Sequence, residues 1–218
     1  MNCSLNHRPG FLFGALLLFF AMDAFAHTVW IEPLEGKLVI RFAEPSGNFE
    51  KSPGHLDSLS VPSVFSVVTN APAMVESIKT TNHFHLASAS PTNVTGAESI
   101  FTVRAGRKPH FYARWQPAGA GAGTPMLTFD LVPTGKPGEA RVYFRGQPLG
   151  GLKATLRTPD DTEKEIAVDA DGYVRFDSRQ RGLHLLTIAH HRESIGGAHM
   201  GQAYQQTSHN TALTWVQP

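Results

Sequence analysis

The sequence predicts an all-β fold built as two sandwich-like domains. Short alternating or apolar runs recur at roughly the 8 to 12 residue spacing that is typical of β-sandwiches. No window of helical length sustains the i, i+3, i+4, i+7 apolar pattern of an amphipathic helix. A tract rich in Ala and Gly, residues 118–125, separates the runs into two groups.

The first 26 residues are typical of a secretory signal peptide. Arg8 stands without an acidic residue before an apolar run over residues 11–22, and Ala24 and Ala26 are small residues at the positions that a signal peptidase reads. The apolar run is short for a membrane span, although an uncleaved anchor is the alternative interpretation. We therefore expect cleavage after Ala26 and export to a bacterial periplasm.

Composition and processing together exclude several function classes. The net charge of +1, from 19 Lys and Arg against 18 Asp and Glu, provides no electrostatic footprint for nucleic acid or an anionic membrane. The single cysteine, Cys3, is lost with the signal peptide, so the mature chain has no disulfide and no thiolate metal site. Histidine is left as the main metal-ligating residue type, and His27 becomes the first residue.

The first predicted domain covers residues 27–125. Residues 45–62 have turn residues and mixed polarity, which predicts a long loop that covers one end of the domain. The domain ends in the Ala/Gly tract, which we interpret as a linker or long mobile loop. Strands are predicted over residues 28–32, 37–42, 64–69, 83–87, 99–103 and 110–115.

The second predicted domain covers residues 126–218. The Asp171-Gly172 pair between two apolar runs predicts a β-hairpin, because both turn positions then need positive φ. Strands are predicted over residues 126–132, 139–145, 152–157, 165–168, 173–176, 183–191 and 212–216.

His27 is the first candidate metal ligand. As an amino-terminal residue it can chelate a metal ion through its free α-amine and its own imidazole. The pKa of an α-amine is about 7.7–8.0 in model peptides, so a metal ion must displace a proton to bind it. Two nitrogens do not complete a site, and we expect at least one more imidazole or carboxylate from elsewhere in the fold.

Two histidine pairs are the candidates for that role. His83 and His85 are spaced i, i+2 and therefore share one face of a strand, which is also what a polar surface strand would show. His190 and His191 are adjacent and point to opposite faces of a strand, so at most one of them can join a shared site. The alternative is that both are hydrogen-bonded residues at a strand end. His190 shares a predicted face with His184, which lies among core residues.

The other histidines and the acidic residues carry weaker signals. His55, His110, His199 and His209 lie near turn residues, and we expect them in solvent. The segment 169–172 is similar to the start of a calcium loop but lacks the later acidic ligands. Motifs for serine hydrolases, zinc proteases and phosphate-binding loops are absent from the sequence. We therefore expect a binding protein and not an enzyme.

Several short segments of the chain carry a combined pattern. In order, they are residues 27–33 (HTVWIEP), 42–45 (FAEP), 52–57 (SPGHLD), 111–114 (FYAR), 129–133 (FDLVP), 142–149 (VYFRGQPL), 169–172 (DADG) and 182–186 (GLHLL). Together these segments resemble a domain-of-unknown-function family of periplasmic nickel and cobalt uptake components, whose carboxy-terminal module is immunoglobulin-like. One departure is Ala43, where the family often has Gly before the Glu-Pro pair.

The resemblance implies a periplasmic protein that handles Ni²⁺, Co²⁺ or Cu²⁺ beside a membrane metal transporter or an outer-membrane receptor. It also implies immunoglobulin-like sandwiches, and His27 is the one ligand that the family's own motif carries. Two other functions stay open. One is a copper oxidase in which His27 and a second imidazole form a histidine brace, and the other is an immunoglobulin-like interaction module without a metal.

Overall fold

The computed structural model describes residues 27–44, 47–68 and 71–218. The predicted signal peptide, residues 1–26, lies outside the described residues. Within these ranges the chain forms eighteen β-strands and a single 3-10 turn, without an α-helix. The predicted all-β, sandwich-type fold class is therefore confirmed. None of the described residues forms a helix that is long and apolar enough to cross a membrane.

The strands follow one another with few long connections. The first eight are β1 (Thr28–Leu34), β2 (Lys37–Ala43), β3 (Ser63–Val68), β4 (Ala71–Val75), β5 (Ser77–Lys79), β6 (Phe84–Leu86), β7 (Thr95–Ile100) and β8 (Arg107–Trp115). The remaining ten are β9 (Phe129–Pro133), β10 (Glu139–Phe144), β11 (Gln147–Pro148), β12 (Lys153–Arg157), β13 (Glu163–Ala167), β14 (Tyr173–Arg175), β15 (Gly182–Glu193), β16 (Gly197–His199), β17 (Gln202–Tyr204) and β18 (Gln206–Gln217). The 3-10 turn, His55–Ser58, lies between β2 and β3.

The largest sheet joins strands from both predicted domains. Its eight strands run in the order β13-β12-β15-β18-β8-β7-β3-β4. β18 pairs in parallel with β8 from Gln206 opposite Arg107 to Thr214 opposite Trp115, so the last strand lies beside a strand of the first half. A four-stranded sheet, β1-β2-β6-β5, packs on one side, and β9, β11 and β14 flank β10 in another.

The apolar residues form two main cores. The first is built from residues between 29 and 115, with Ile31, Ile40 and Phe84 fully buried at its centre. The second is built mainly from residues between 127 and 213, with Phe129 and Leu186 at its centre. Each predicted domain therefore contributes most of one core, while the backbone hydrogen bonds of β8 and β18 run between the two.

The predicted hairpin at Asp171-Gly172 is wrong, although a turn is present. Gly172 has φ 87° and its amide donates to the Asp169 carbonyl at 3.1 Å. The Asp169 carboxylate also accepts the amides of Asp171 and Tyr173, at 3.1 and 2.8 Å, which closes the turn. The flanking strands do not pair with each other: β13 pairs with β12, and β14 pairs with β10. The turn therefore carries the chain from one sheet to another.

Candidate metal centre

The loop between β2 and β3 folds back over His27, the residue immediately before β1. Antiparallel pairing places Thr28 opposite Ala43, so His27 lies beside the point where β2 ends. The loop then stays close to that point, because the Glu50 amide donates to the Phe42 carbonyl at 2.9 Å and Ala43 forms an isolated bridge with Phe49. The described part of the predicted loop, residues 47–62, thus covers the end of the sheet that lies beside His27.

The 3-10 turn fixes the second part of the loop. Leu56 is fully buried and its amide donates to the Lys51 carbonyl at 3.1 Å. The Asp57 carboxylate accepts the Gly54 amide at 2.9 Å and the Lys79 ammonium at 2.9 Å, which lowers the pKa of Asp57 to about 2. His55 begins this turn, so its ring is held over the same end of the sheet as Glu50.

Three metal-ligating side chains meet there. The Nε2 atom of His27 lies 2.6 Å from Oε1 of Glu50, and Nδ1 of His55 lies 3.1 Å from the same oxygen. One ligand atom from each residue falls within 4.8 Å of the others. In the described ranges this is the one such group of three. The side chains are between 23% and 28% exposed, so an ion can reach them from solvent.

Aromatic rings line the inner side of the cluster. The ring of Phe42, which is buried, lies 5.0 Å from the His27 ring and 5.7 Å from the His55 ring. The Phe101 ring meets His55 edge-on at 5.1 Å. These rings hold the two imidazoles in place and keep water from their inner faces, so the polar edges face Glu50.

Glu50 is an anion that accepts from both imidazoles. Its burial opposes ionisation, but the hydrogen bonds from His27 and His55 outweigh that effect and lower the pKa of the carboxyl. Because an ionised carboxylate only accepts, Nε2 of His27 and Nδ1 of His55 carry the protons in these contacts. On its other side, Nε2 of His55 lies 3.1 Å from Nη1 of Arg104.

The spacing of these atoms suits a metal ion. Ligands that bind one ion at about 2.0–2.2 Å are themselves roughly 3 Å apart. The two nitrogen-to-oxygen distances, 2.6 and 3.1 Å, are close to that value, and the two nitrogen atoms lie within 4.8 Å of each other. Two imidazoles and a carboxylate are ligands for Zn²⁺, Ni²⁺, Co²⁺ and Cu²⁺, with further positions left for water.

His83 and His85 lie outside this cluster. Phe84 and Leu86 are buried in the first core, so the two histidines lie on the opposite face, as their spacing predicts. Nδ1 of His83 is 2.8 Å from Oδ1 of its neighbour Asn82, and burial lowers the pKa of His83. In the described part of the chain no third ligand completes a cluster around them. A metal-binding role for this pair stays a prediction.

His190 and His191 are separated from the cluster and rearranged by a β-bulge. Ile188 pairs with Thr211 and His191 with His209, so β15 contains one residue more than β18 across this step. The extra residue is accommodated at His190, whose φ is 62°. His191 therefore lies on the same face of β15 as Ile188. The predicted shared face of His184 and His190 is therefore wrong. The ring of His191 packs 5.5 and 4.7 Å from two phenylalanine rings, Phe129 and Phe144.

Three histidines that we expected in solvent are packed against other residues instead. His209 is 3% exposed, with Nδ1 2.9 Å from the Tyr112 hydroxyl and Nε2 2.9 Å from Glu193. The parallel register places it directly beside His110, whose pKa burial lowers to about 4. His55 is likewise a member of the cluster. Turn residues next to each histidine misled the prediction, because the contacts come from distant segments.

No family model matches the chain, and no curated protein matches it. The family resemblance of the sequence therefore stays a prediction. The fold and the side chains by themselves define an all-β protein with a candidate metal centre of two histidines and one glutamate.

Proposed function

We propose that this protein binds a divalent transition metal ion through His27, Glu50 and His55. The observation that carries the proposal is that the residue before β1 and two residues of the loop after β2 place one nitrogen or oxygen atom each within 4.8 Å of the others. The aromatic rings of Phe42 and Phe101 pack against the inner side of the two imidazoles, and the other side of the cluster is open to solvent. These are the features of a site that exchanges an ion with solvent or with another protein.

The ligand set favours a borderline divalent ion. Imidazole nitrogens suit Ni²⁺, Co²⁺, Cu²⁺ and Zn²⁺, whereas thiolates and thioethers, which select Cu⁺, are missing from the three residues. We expect affinity to rise from Co²⁺ to Ni²⁺ to Cu²⁺, as it does for most nitrogen and oxygen sites. Metal supply would then decide which ion is carried.

The cellular part of the proposal rests on the sequence. The signal-peptide pattern and the family resemblance favour an accessory component of nickel or cobalt uptake in the periplasm. In this role the protein binds the ion and delivers it to a membrane transporter or an outer-membrane receptor, without catalysis.

The side-chain cluster and the amino-terminal chelate are two different ways of using His27. In the cluster, Nε2 faces Glu50. A six-membered chelate ring with the α-amine needs Nδ1, whereas Nε2 lies on the other edge of the imidazole. One ion therefore cannot use both arrangements, and we propose the cluster as the binding mode.

Calorimetric titration of the mature protein with Ni²⁺, Co²⁺ and Cu²⁺ tests this mode. We expect His27→Ala and His55→Ala each to weaken binding at least 10-fold, because each removes a ligand nitrogen. His85→Ala and His191→Ala are matched controls that remove an imidazole elsewhere, and they should bind as wild type does. Unchanged affinity in both cluster variants would overturn the proposal.

A variant with extra residues before His27 separates the two modes. It blocks the α-amine but leaves the three side chains in place, so we expect its affinity to match that of the mature protein. Loss of binding in this variant, with His55→Ala unaffected, would instead assign the amine chelate. That result would revive the histidine-brace interpretation, for which ascorbate-driven peroxide formation by the copper-loaded protein is the next measurement.

A further inference from the structure

Arg104 contacts the side of His55 that faces away from Glu50. Its Nη1 atom lies 3.1 Å from Nε2 of the imidazole. The arginine begins a tight turn, in which the amides of Arg104 and Arg107 donate to each other's carbonyl groups at 2.8 and 3.0 Å. Ala105 and Gly106 take positive φ at its tip. The backbone of Arg104 is therefore fixed, whereas its side chain is exposed.

The contact determines where the proton of His55 lies. A guanidinium group has only N–H donors, so Nε2 of His55 must accept. Nδ1 then carries the proton of the neutral ring, and this proton points to Glu50. Arg104 and Glu50 thus favour the same tautomer from opposite sides of the ring.

A metal ion cannot bind His55 while this contact persists, whichever nitrogen it uses. If the ion binds Nδ1, the proton of the neutral ring moves to Nε2, and two donors then face each other at the position of Arg104. If the ion binds Nε2, it occupies the place of the guanidinium N–H. Either way the Arg104 contact must break before His55 can be a ligand.

From this we infer that Arg104 is a built-in competitor of the metal ion: it lowers the affinity of the centre and speeds release of the ion. The inference rests on the proposed function, because it concerns the same three ligands. The guanidinium charge acts in the same direction, since it repels a divalent cation.

The expected effect is moderate because the arginine is exposed. A hydrogen bond of this kind contributes roughly 0.5–1.5 kcal/mol in water, which corresponds to about 2- to 10-fold in affinity. We expect Arg104→Met, which keeps the apolar stem and removes the donors, to bind Ni²⁺ about 2- to 10-fold more tightly. Most of the change should lie in slower release to a chelator.

Arg107→Met is the matched control. It removes the same charge from the same turn but leaves the contact with His55 intact. We expect its Ni²⁺ affinity and release rate to stay close to those of wild type. An equal gain in both variants would overturn the competitor role and assign the effect to net charge, and no gain in Arg104→Met would overturn it directly.

Nitrogen-15 NMR of the metal-free protein tests the tautomer independently. We expect His55 to carry its proton on Nδ1 in wild type, and we expect this preference to weaken in Arg104→Met but to persist, because Glu50 still accepts that proton. A proton on Nε2 in wild type would contradict the inference even if Ni²⁺ binds with the expected ligands. Failure of both wild type and Arg104→Met to bind any of the three metal ions would overturn the proposed function and the competitor role together.

Discussion

Glu50→Gln is the substitution that most sharply separates a metal ligand from a structural hydrogen-bond acceptor. Gln keeps the length of the side chain and an oxygen that can still accept from His27 or His55. It removes the charge that attracts a cation and holds two imidazoles on one oxygen, at 2.6 and 3.1 Å. We therefore expect a small effect on folding and a large effect on metal binding.

The two magnitudes follow from the geometry. For folding, hydrogen bonds to a charged group exceed neutral ones by roughly 1 kcal/mol, and partial exposure reduces this, so we expect a loss of about 1 kcal/mol. For binding, even partners that only orient a ligand contribute about 10- to 100-fold, so loss of a direct anionic ligand should weaken Ni²⁺ binding at least that much, by about 1.4–2.8 kcal/mol.

The assay is calorimetric titration of Ni²⁺ together with chemical unfolding of the metal-free protein. Glu163→Gln is the control, because Glu163 is exposed on β13 and its substitution changes net charge by the same amount. A fall in affinity of less than threefold for Glu50→Gln would refute the reasoning. So would an equal fall in the control, because the effect would then be one of net charge.

Three further predictions concern the rest of the molecule. Burial lowers the pKa of His110 from 6.5 to about 4, so between these pH values the unfolded chain binds a proton at His110 that the folded chain does not bind. The free energy of unfolding should therefore fall by up to about 3 kcal/mol as the pH drops from about 6.5 to about 4, and His110→Asn should flatten this dependence in urea titrations. Asp130→Ala leaves the buried guanidinium of Arg114, now 3.1 Å from Asp130, without its carboxylate, and should destabilise the fold by about 3–5 kcal/mol in chemical unfolding; a loss below 1 kcal/mol would contradict this. Ni²⁺ at about 100 times its dissociation constant should add about 2.7 kcal/mol to the free energy of unfolding of wild type, and unchanged thermal unfolding at that concentration would contradict binding to the folded state.

Strong local patterns made most strands predictable. The apolar runs of β2 and of the second half of β8 were recognised because their side chains are large and are buried on both faces of the strand. The prediction failed at β7, expected over residues 99–103 and found at Thr95–Ile100. Its first residues include Gly96, where an added Cβ would lie 2.8 Å from Leu127, so close packing there requires the absence of a side chain. The small residues at the start of β7 gave no apolar run from which the strand could be predicted.

Long-range pairing was beyond the reach of the sequence. Nothing in the local pattern of β18 indicates that it lies parallel to β8, nearly a hundred residues earlier in the chain. That pairing buries His209, which turn residues had suggested was solvated. The bulge at His190 was hidden for a similar reason, because strand periodicity assumes that no residue is inserted.

The candidate site was predicted in part. His27 was identified from its expected place at the mature amino terminus, and the loop over residues 45–62 was expected to cover one end of the domain. That this loop brings Glu50 and His55 to His27 depends on backbone contacts to β2, which have no signature in composition. The prediction that this loop covers one end of the domain was the one available hint.

An anomalous X-ray difference map of the mature protein crystallised with Co²⁺ tests the central claim most directly. The account predicts one strong peak about 2.0–2.2 Å from an imidazole nitrogen of His27, an imidazole nitrogen of His55 and a carboxylate oxygen of Glu50. A peak at His83 and His85, at His190 or His191, or between Nδ1 of His27 and its α-amine would contradict it.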